Sequence, residues 1–177
     1  MNFFTAAPKK ADTAEVIPCP ECAKNGKKIK DITVKAQLLK EKQTDMKTSL
    51  DQFYFCGTPE CPVAYYSGVN DERFYETDIK AKVTVKNDDP STPLCYCHKY
   101  KKSDALEDMK TMDPKALVKK IKAIISKDKS ICQKANPKGS CCTEDIKQWL
   151  GSHGIPWETS IKLTPMAPNT PMQTKSC

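Results

Sequence analysis

Nine of the ten cysteines in this 177-residue chain stand in groups at chelating distances. Cys19-Pro-Glu-Cys22 is matched by Cys56-Gly-Thr-Pro-Glu-Cys61. Farther along, Cys95-Tyr-Cys97 is followed by Cys132 and by the adjacent pair Cys141 and Cys142. Thiolates at such spacings hold soft and borderline metals. Two four-sulfur sites can close from them, one around Cys19, Cys22, Cys56 and Cys61 and one around Cys95, Cys97, Cys132 and Cys142.

The first set suits a single tetrahedral ion. Each arm, Cys-x2-Cys and Cys-x4-Cys, brings two sulfurs to about 2.3 Å from the metal, and its short loop turns backbone N–H groups toward the thiolates. The stretch between Cys22 and Cys56 leaves room for a strand and its return. Zinc is the usual occupant of a closed four-cysteine site, and iron fits the same sulfurs in the rubredoxin manner. Either way, the expected role is structural.

The second set reads differently. A Cys-x-Cys pair spans one tetrahedral ion poorly but suits the wider face of an iron-sulfur cluster. The Pro/Gly loop from Cys132 to Cys142 offers amides that can donate to cluster sulfurs and shift the reduction potential. Cys142 lies just before a predicted helix, whose free N–H groups and partial positive charge favour a thiolate, and Cys141 is then the spare. The sequence by itself does not decide between these neighbours. His98 follows Cys97, and a histidine in place of a thiolate would raise the potential; an exposed capping role at a helix start is the plainer reading. Cys97 and His98 are not a nucleophile and base, because catalytic pairs meet across a fold rather than as neighbours. No phosphate loop or nucleophile elbow occurs.

Several elements must position these thiols. Residues 1–16 are polar and read as a disordered lead. Residues 17–90 read as a zinc-binding β unit. There Ile32-Thr-Val-Lys-Ala-Gln-Leu-Leu39 begins with β-branched residues, and Phe53-Tyr-Phe-Cys56 and Val63-Ala-Tyr-Tyr66 form a hairpin with cysteines at its turn. A further strand is expected within Phe74 to Val83. A linker at Lys86 to Pro93 leads into residues 91–153, a helical unit. Its helices are expected over Asp104 to Met109, from Pro114 to Ser126 after an Asp113 start, and from Thr143 to Leu150 with Gly151 as the stop. Leu117, Val118, Ile121, Ile124 and Ile125 form one apolar stripe, with Lys119, Lys120, Lys122 and Lys127 opposite. Residues 154–177 are proline-rich and read as a flexible tail. The expected class is α+β, a small β-rich zinc-ribbon-like unit followed by a small helical 2Fe-2S-binding unit.

Composition agrees with metal-dependent folding. Hydrophobic residues are 38% of the chain, against about 45–50% in ordinary globular domains, so each small unit has a thin core. The formal charge of +7 counts cysteines as neutral. Two loaded four-thiolate sites of about −2 each would bring it near +3. With 29 basic residues against 22 acidic, mostly lysine, nucleic-acid binding is disfavoured. No run approaches ~18 apolar residues, so membrane insertion is not expected. The amino terminus lacks the pattern of a secretory signal, which points to a reducing cytoplasm and to metal ligands rather than disulfides. The alternative, a secreted disulfide framework, would be colourless.

At these residues the chain resembles the amino-terminal domain of the CopZ-type copper chaperones, which joins a small zinc-binding unit to a unit of the bacterioferritin-associated ferredoxin type. The resemblance runs from Cys19 to about Gly151. It rests on Cys-Pro-Glu-Cys, Phe53-Tyr-Phe-Cys56 with Cys61-Pro-Val-Ala-Tyr-Tyr66, Pro-Leu-Cys95-Tyr-Cys97 and Asn136-Pro-Lys-Gly-Ser-Cys141-Cys142. It implies zinc on the first four cysteines and a 2Fe-2S cluster with the second cysteine of the Cys141-Cys142 pair as a ligand. The implied activity is one-electron reduction of Cu(II) to Cu(I), coupled to delivery by a carboxy-terminal domain with a Met-x-Cys-x-x-Cys motif. These residues contain no such motif. Met166, Met172 and Cys177 are soft donors suited to Cu(I) but sit in the proline-rich tail.

Two functions follow. In the first, a zinc and 2Fe-2S protein passes single electrons in copper or related metal homeostasis, with copper transiently bound and copper-transport proteins as partners. Lys99, Lys101 and Lys102 would ring the cluster and receive an acidic donor. In the second, the protein is a non-catalytic metal-sensing or interaction module that docks to an iron store, a transporter or a regulator. Neither the redox partner, the potential nor the oligomeric state is set by the sequence.

Overall fold

Two aromatic runs separated by a proline-containing turn build the first sheet. The structure, a computed structural model, describes residues 17–126 and 131–158. The expected lead, Lys127, and the tail donors Met166, Met172 and Cys177 lie outside the described residues. Strands β1 (Lys27–Lys28), β2 (Phe53–Phe55), β3 (Val63–Ser67) and β4 (Arg73–Tyr75) form an antiparallel sheet in that order. Tyr54 pairs with Tyr66 and Phe55 with Tyr65. Strand alternation then separates two faces. Phe53, Phe55 and Tyr65 pack with Ile29, Val34, Leu38 and Ile79. Tyr54 and Tyr66, stacked at 5.7 Å, face the other way, toward Cys19, Cys56 and Cys61.

The segment expected to start as a strand at Ile32 is instead helix α1 (Asp31–Gln37). Its buried residues Thr33, Val34 and Gln37 follow helical spacing, and Ile32 is left 36% exposed. Burial of that face outweighs the weak strand preference of β-branched residues. Helix α2 (Lys40–Thr44) follows. The strand expected within residues 74–83 ends early. The Asp78 carboxylate accepts the Tyr75 N–H at 2.8 Å and turns the chain into a 3-10 segment, Glu76–Asp78.

The stretch from Lys86 to Pro93 is tied down rather than loose. Asp89 pairs with Lys82 and accepts the Ser91 N–H, and Lys102 Nζ donates to the Asn87 carbonyl at 2.6 Å. A second sheet, the hairpin β5 (Pro93–Cys95) and β6 (Tyr100–Lys101), precedes helices α3 (Lys102–Thr111), α4 (Pro114–Ile125), α5 (Cys132–Ala135) and α6 (Thr143–Ser152). Asp113 caps α4 as its sequence requires, accepting N–H groups of Lys115 and Ala116 at 2.9 and 3.0 Å. Helix α6 runs through Gly151. It stops at His153, where Gly154 takes the left-handed backbone, φ +72°. No helix among the described residues is long and apolar enough to cross a membrane.

Leu117, Val118, Ile121 and Ile125 of α4 pack against Leu94, Ile146 and Leu150 in one apolar cluster, with Ile124 at its edge. Ile121 is fully buried there. Ile121→Ala is therefore expected to destabilise this unit by about 2–5 kcal/mol, read as a lowered denaturation midpoint. Substitution of the exposed neighbour Lys119 should leave the midpoint within about 0.5 kcal/mol.

Candidate metal centres

The first centre is assembled from two turns. In Cys19–Cys22 the Cys19 N–H donates to the Lys24 carbonyl at 2.8 Å and the Ala23 N–H to the Cys19 carbonyl at 2.9 Å. Ala23 carries φ 55°, the left-handed backbone that closes so tight a turn. The second turn connects β2 to β3. The amides of Glu21 and Cys22 point at Cys19, that of Lys24 at Cys22 and that of Val63 at Cys61. All four sulfurs of Cys19, Cys22, Cys56 and Cys61 lie within 4.8 Å of one another.

The spacing fits a tetrahedral ion. Cys19 Sγ is 3.9 Å from Cys61 Sγ, and Cys22 Sγ is 3.7 Å from Cys56 Sγ. A tetrahedron with metal–sulfur bonds of about 2.3 Å has edges of about 3.8 Å. Without metal, Cys19, Cys22 and Cys61 are ill matched. Burial, joined by repulsion from Cys56, raises Cys19, and burial with its sulfur neighbours pushes Cys61 up to about 12. Burial raises Cys22 as well, but hydrogen bonds with Thr58 Oγ1, the Lys24 amide, Cys56 and Cys61 outweigh it and bring this thiol down to about 6. A divalent cation removes the conflict by allowing all four to be thiolates. Thr58 is a residue that cysteine spacing did not single out, although its place between Cys56 and Cys61 was visible.

The second set gathers as two pairs. Cys97 Sγ lies 3.0 Å from Cys132 Sγ, and Cys95 shares a hydrogen bond with Cys142. Among the described residues, only the first set brings three or more metal-binding side chains mutually within 4.8 Å. Cys95 ends β5, Cys97 lies in the hairpin turn, Cys132 opens α5 and Cys142 caps the N-terminus of α6. The hydrogen bond from Cys142 lowers Cys95 to about 6 against the opposing effect of burial, with the amides of His98 and Cys97 adding to the lowering. Cys142, the donor in that bond and buried, is pushed far up. Burial and then Cys132 raise Cys97 to about 12. Cys141 Sγ lies 3.1 Å from Thr143 Oγ1. All nine described cysteines are free thiols.

Two expectations about the surroundings change. His98 starts no helix; it sits in the β5–β6 turn, where its backbone N–H serves Cys95. Lys102 does not ring the site at the surface, because its side chain is only 4% exposed and is spent on Asn87 and Asp88. Lys99 and Lys101 are exposed.

Comparison with known proteins adds three findings. Residues 17–80 match the family model of the CopZ type described as a zinc binding domain. The copper chaperone CopZ of Archaeoglobus fulgidus is 30% identical over 124 residues, which cover 70% of this chain and 57% of that protein. The chain thus spans little more than half the length of this relative. The X-ray structure of the Archaeoglobus fulgidus CopZ N-terminal domain superposes with a TM-score of 0.63 at 28% identity, covering 79% of this chain and 99% of that one.

Proposed function

We propose that this chain, whose residues 17–80 are a zinc-binding domain of the CopZ type, is a two-centre metalloprotein that passes single electrons in copper handling. Cys19, Cys22, Cys56 and Cys61 hold zinc and fix the first unit. Cys95, Cys97, Cys132 and Cys142 hold a 2Fe-2S cluster. When bound, such a cluster exchanges one electron, the stoichiometry of Cu(II) reduction to Cu(I).

The observation that carries this reading is the contrast between the two cysteine sets. One converges on a single point, as one tetrahedral ion requires, and the other forms two pairs, as two irons with two thiolates apiece require. The chain's own groups then set the behaviour of the second site. Amides of Cys97 and His98 donate to Cys95, and Cys142 stands at the N-cap position of α6, the positive end of that helix. Both favour added electron density on sulfur and so raise the potential. Cys95 and Cys142 are buried, whereas Cys97 is half-buried and gives electrons a short way to the surface. Exposed Lys99 and Lys101 flank that edge and suit an acidic redox partner.

The test is metal and sulfide analysis of protein purified without air, followed by redox titration. A reddish-brown protein with about two iron and one zinc per chain is expected, and its reduced form should be oxidised by about one equivalent of Cu(II). A colourless, iron-free protein would sink the cluster reading. A coloured protein that Cu(II) does not oxidise would replace electron transfer by metal sensing or docking.

A further inference from the structure

The second set of cysteines belongs to the helical unit, yet the first unit holds the segments that carry them. Tyr96 stands between Cys95 and Cys97, and its hydroxyl leaves the hairpin to donate to the Lys82 carbonyl at 2.8 Å and to accept the Thr84 N–H at 3.0 Å. The Thr84 hydroxyl, 2.9 Å from it, lies 2.7 Å from the Pro93 carbonyl at the start of β5. Two residues on, Lys86 Nζ donates to the carbonyls of Thr58 and Cys61 at 2.7 and 2.6 Å, inside the arm of the first centre. One short segment therefore touches both metal-binding regions.

A second set of bonds runs the other way, from the first unit into the Cys132–Cys142 loop. Tyr65, fully buried in β3, donates to the Pro137 carbonyl at 2.7 Å. From α1, Thr33 Oγ1 donates to the Gln133 carbonyl at 2.7 Å, and Gln37 Nε2 to those of Lys134 and Ala135 at 2.6 and 3.0 Å. Gln37 Oε1 is buried without a protein partner, so the two bonds to α5 are what its burial secures. Gly139, at φ +67°, packs so near Thr33 that a Cβ would fall 2.7 Å from Oγ1. None of these bonds lies within the helical unit's own core.

We infer that Tyr65 and Tyr96 form a reciprocal clasp by which the zinc-binding unit sets the positions of Cys97 and Cys132. This rests on the reading of the second set as a cluster site. Both tyrosines are positioning residues: neither touches the cluster-binding sulfurs through its hydroxyl, and each acts through the segment it anchors. The first unit is thus a frame for the second centre and not merely its neighbour in sequence.

Tyr65→Phe and Tyr96→Phe remove one hydroxyl each and keep the rings. Both variants are expected to retain one zinc per chain while losing iron to a chelator roughly tenfold faster than the parent, the scale of outer-sphere effects at metal sites. The midpoint potential should shift with them. Tyr100→Phe is the control, since it removes a 2.8 Å bond to Asp108 within the helical unit. If Tyr100→Phe accelerates iron loss as much, or if neither clasp variant does, the inference falls. An iron-free parent would instead sink the cluster reading. The clasp would then be judged on zinc-loaded protein, where Tyr65→Phe should speed alkylation of Cys132 several-fold; an unchanged rate would overturn it.

Discussion

Cys56→Ser, or chelation of the parent protein, is expected to unfold the first unit. Its strands hold two, three, five and three residues, too few for a sheet of this size to persist on backbone pairing alone. Among the described residues, the face toward the cysteines holds only Ile17, Tyr54, Val63, Tyr66 and the sulfurs themselves. Removing the ion would also leave buried thiols with no shared partner. Structural zinc supplies about 10 kcal/mol or more, comparable with the whole net stability of an ordinary domain. Hydrogen exchange should show β2 and β3 losing protection as zinc leaves. Zinc-free protein that keeps those amides protected would refute a folding role for the metal.

Competition between protons and metal for the same sulfurs sets the direction of pH dependence. Burial first, and neighbouring sulfurs after it, hold Cys19 and Cys61 above the ordinary thiol range, so metal binding must displace protons from them. Lowering the pH strengthens the proton as competitor, and zinc is released on the acid side. Cys22, brought to about 6, is the thiol already ionised near neutrality and the natural first ligand for an arriving ion. Zinc affinity measured against a competing chelator should fall steadily as the pH is lowered from 8 to 6, roughly following the protons displaced.

Local chemistry was legible in the sequence and long-range assembly was not. The cysteine spacings announced two arms converging on one point, and Asp113-Pro114 announced a capped helix, because each signal is confined to a few neighbouring residues. The aromatic runs Phe53-Tyr-Phe and Val63-Ala-Tyr-Tyr66 on either side of a Gly-Thr-Pro-Glu turn likewise carried the hairpin. Residues 31–37 misled because Ile32, Thr33 and Val34 are good strand formers whose helical state is decided by burial of Thr33, Val34 and Gln37. Gly151 misled for a related reason: a glycine is tolerated inside a helix whose other residues, Ile146 and Leu150, are held in a core. The roles of Tyr65 and Tyr96 were invisible, since their hydroxyl partners lie 72 and 14 residues away and carbonyl acceptors leave no mark on residue type. Lys102 looked like its exposed neighbours until the carbonyl of Asn87 closed over it.

The neighbouring thiols Cys141 and Cys142 should part company when each is changed to alanine. Cys142 is 3% exposed, caps α6 and bonds to Cys95, whereas Cys141 is half-buried and lies against Thr143. Burial and pairing make the choice: the Cys142 sulfur is already bonded to Cys95 inside the core, whereas the Cys141 sulfur is engaged with the Thr143 hydroxyl. Cys142→Ala is therefore expected to abolish the visible colour and the bound iron, and Cys141→Ala to keep both. Loss of one buried sulfur costs about 1–3 kcal/mol, too little to melt α6 with Ile146 and Leu150 still packed, so far-ultraviolet circular dichroism should separate lost ligation from lost folding. Colour retained in Cys142→Ala and lost in Cys141→Ala would move the fourth ligand one residue back and detach the site from the helix start. Retention in both would mean that either sulfur can close the site, and the positive end of α6 would then have no part in its potential.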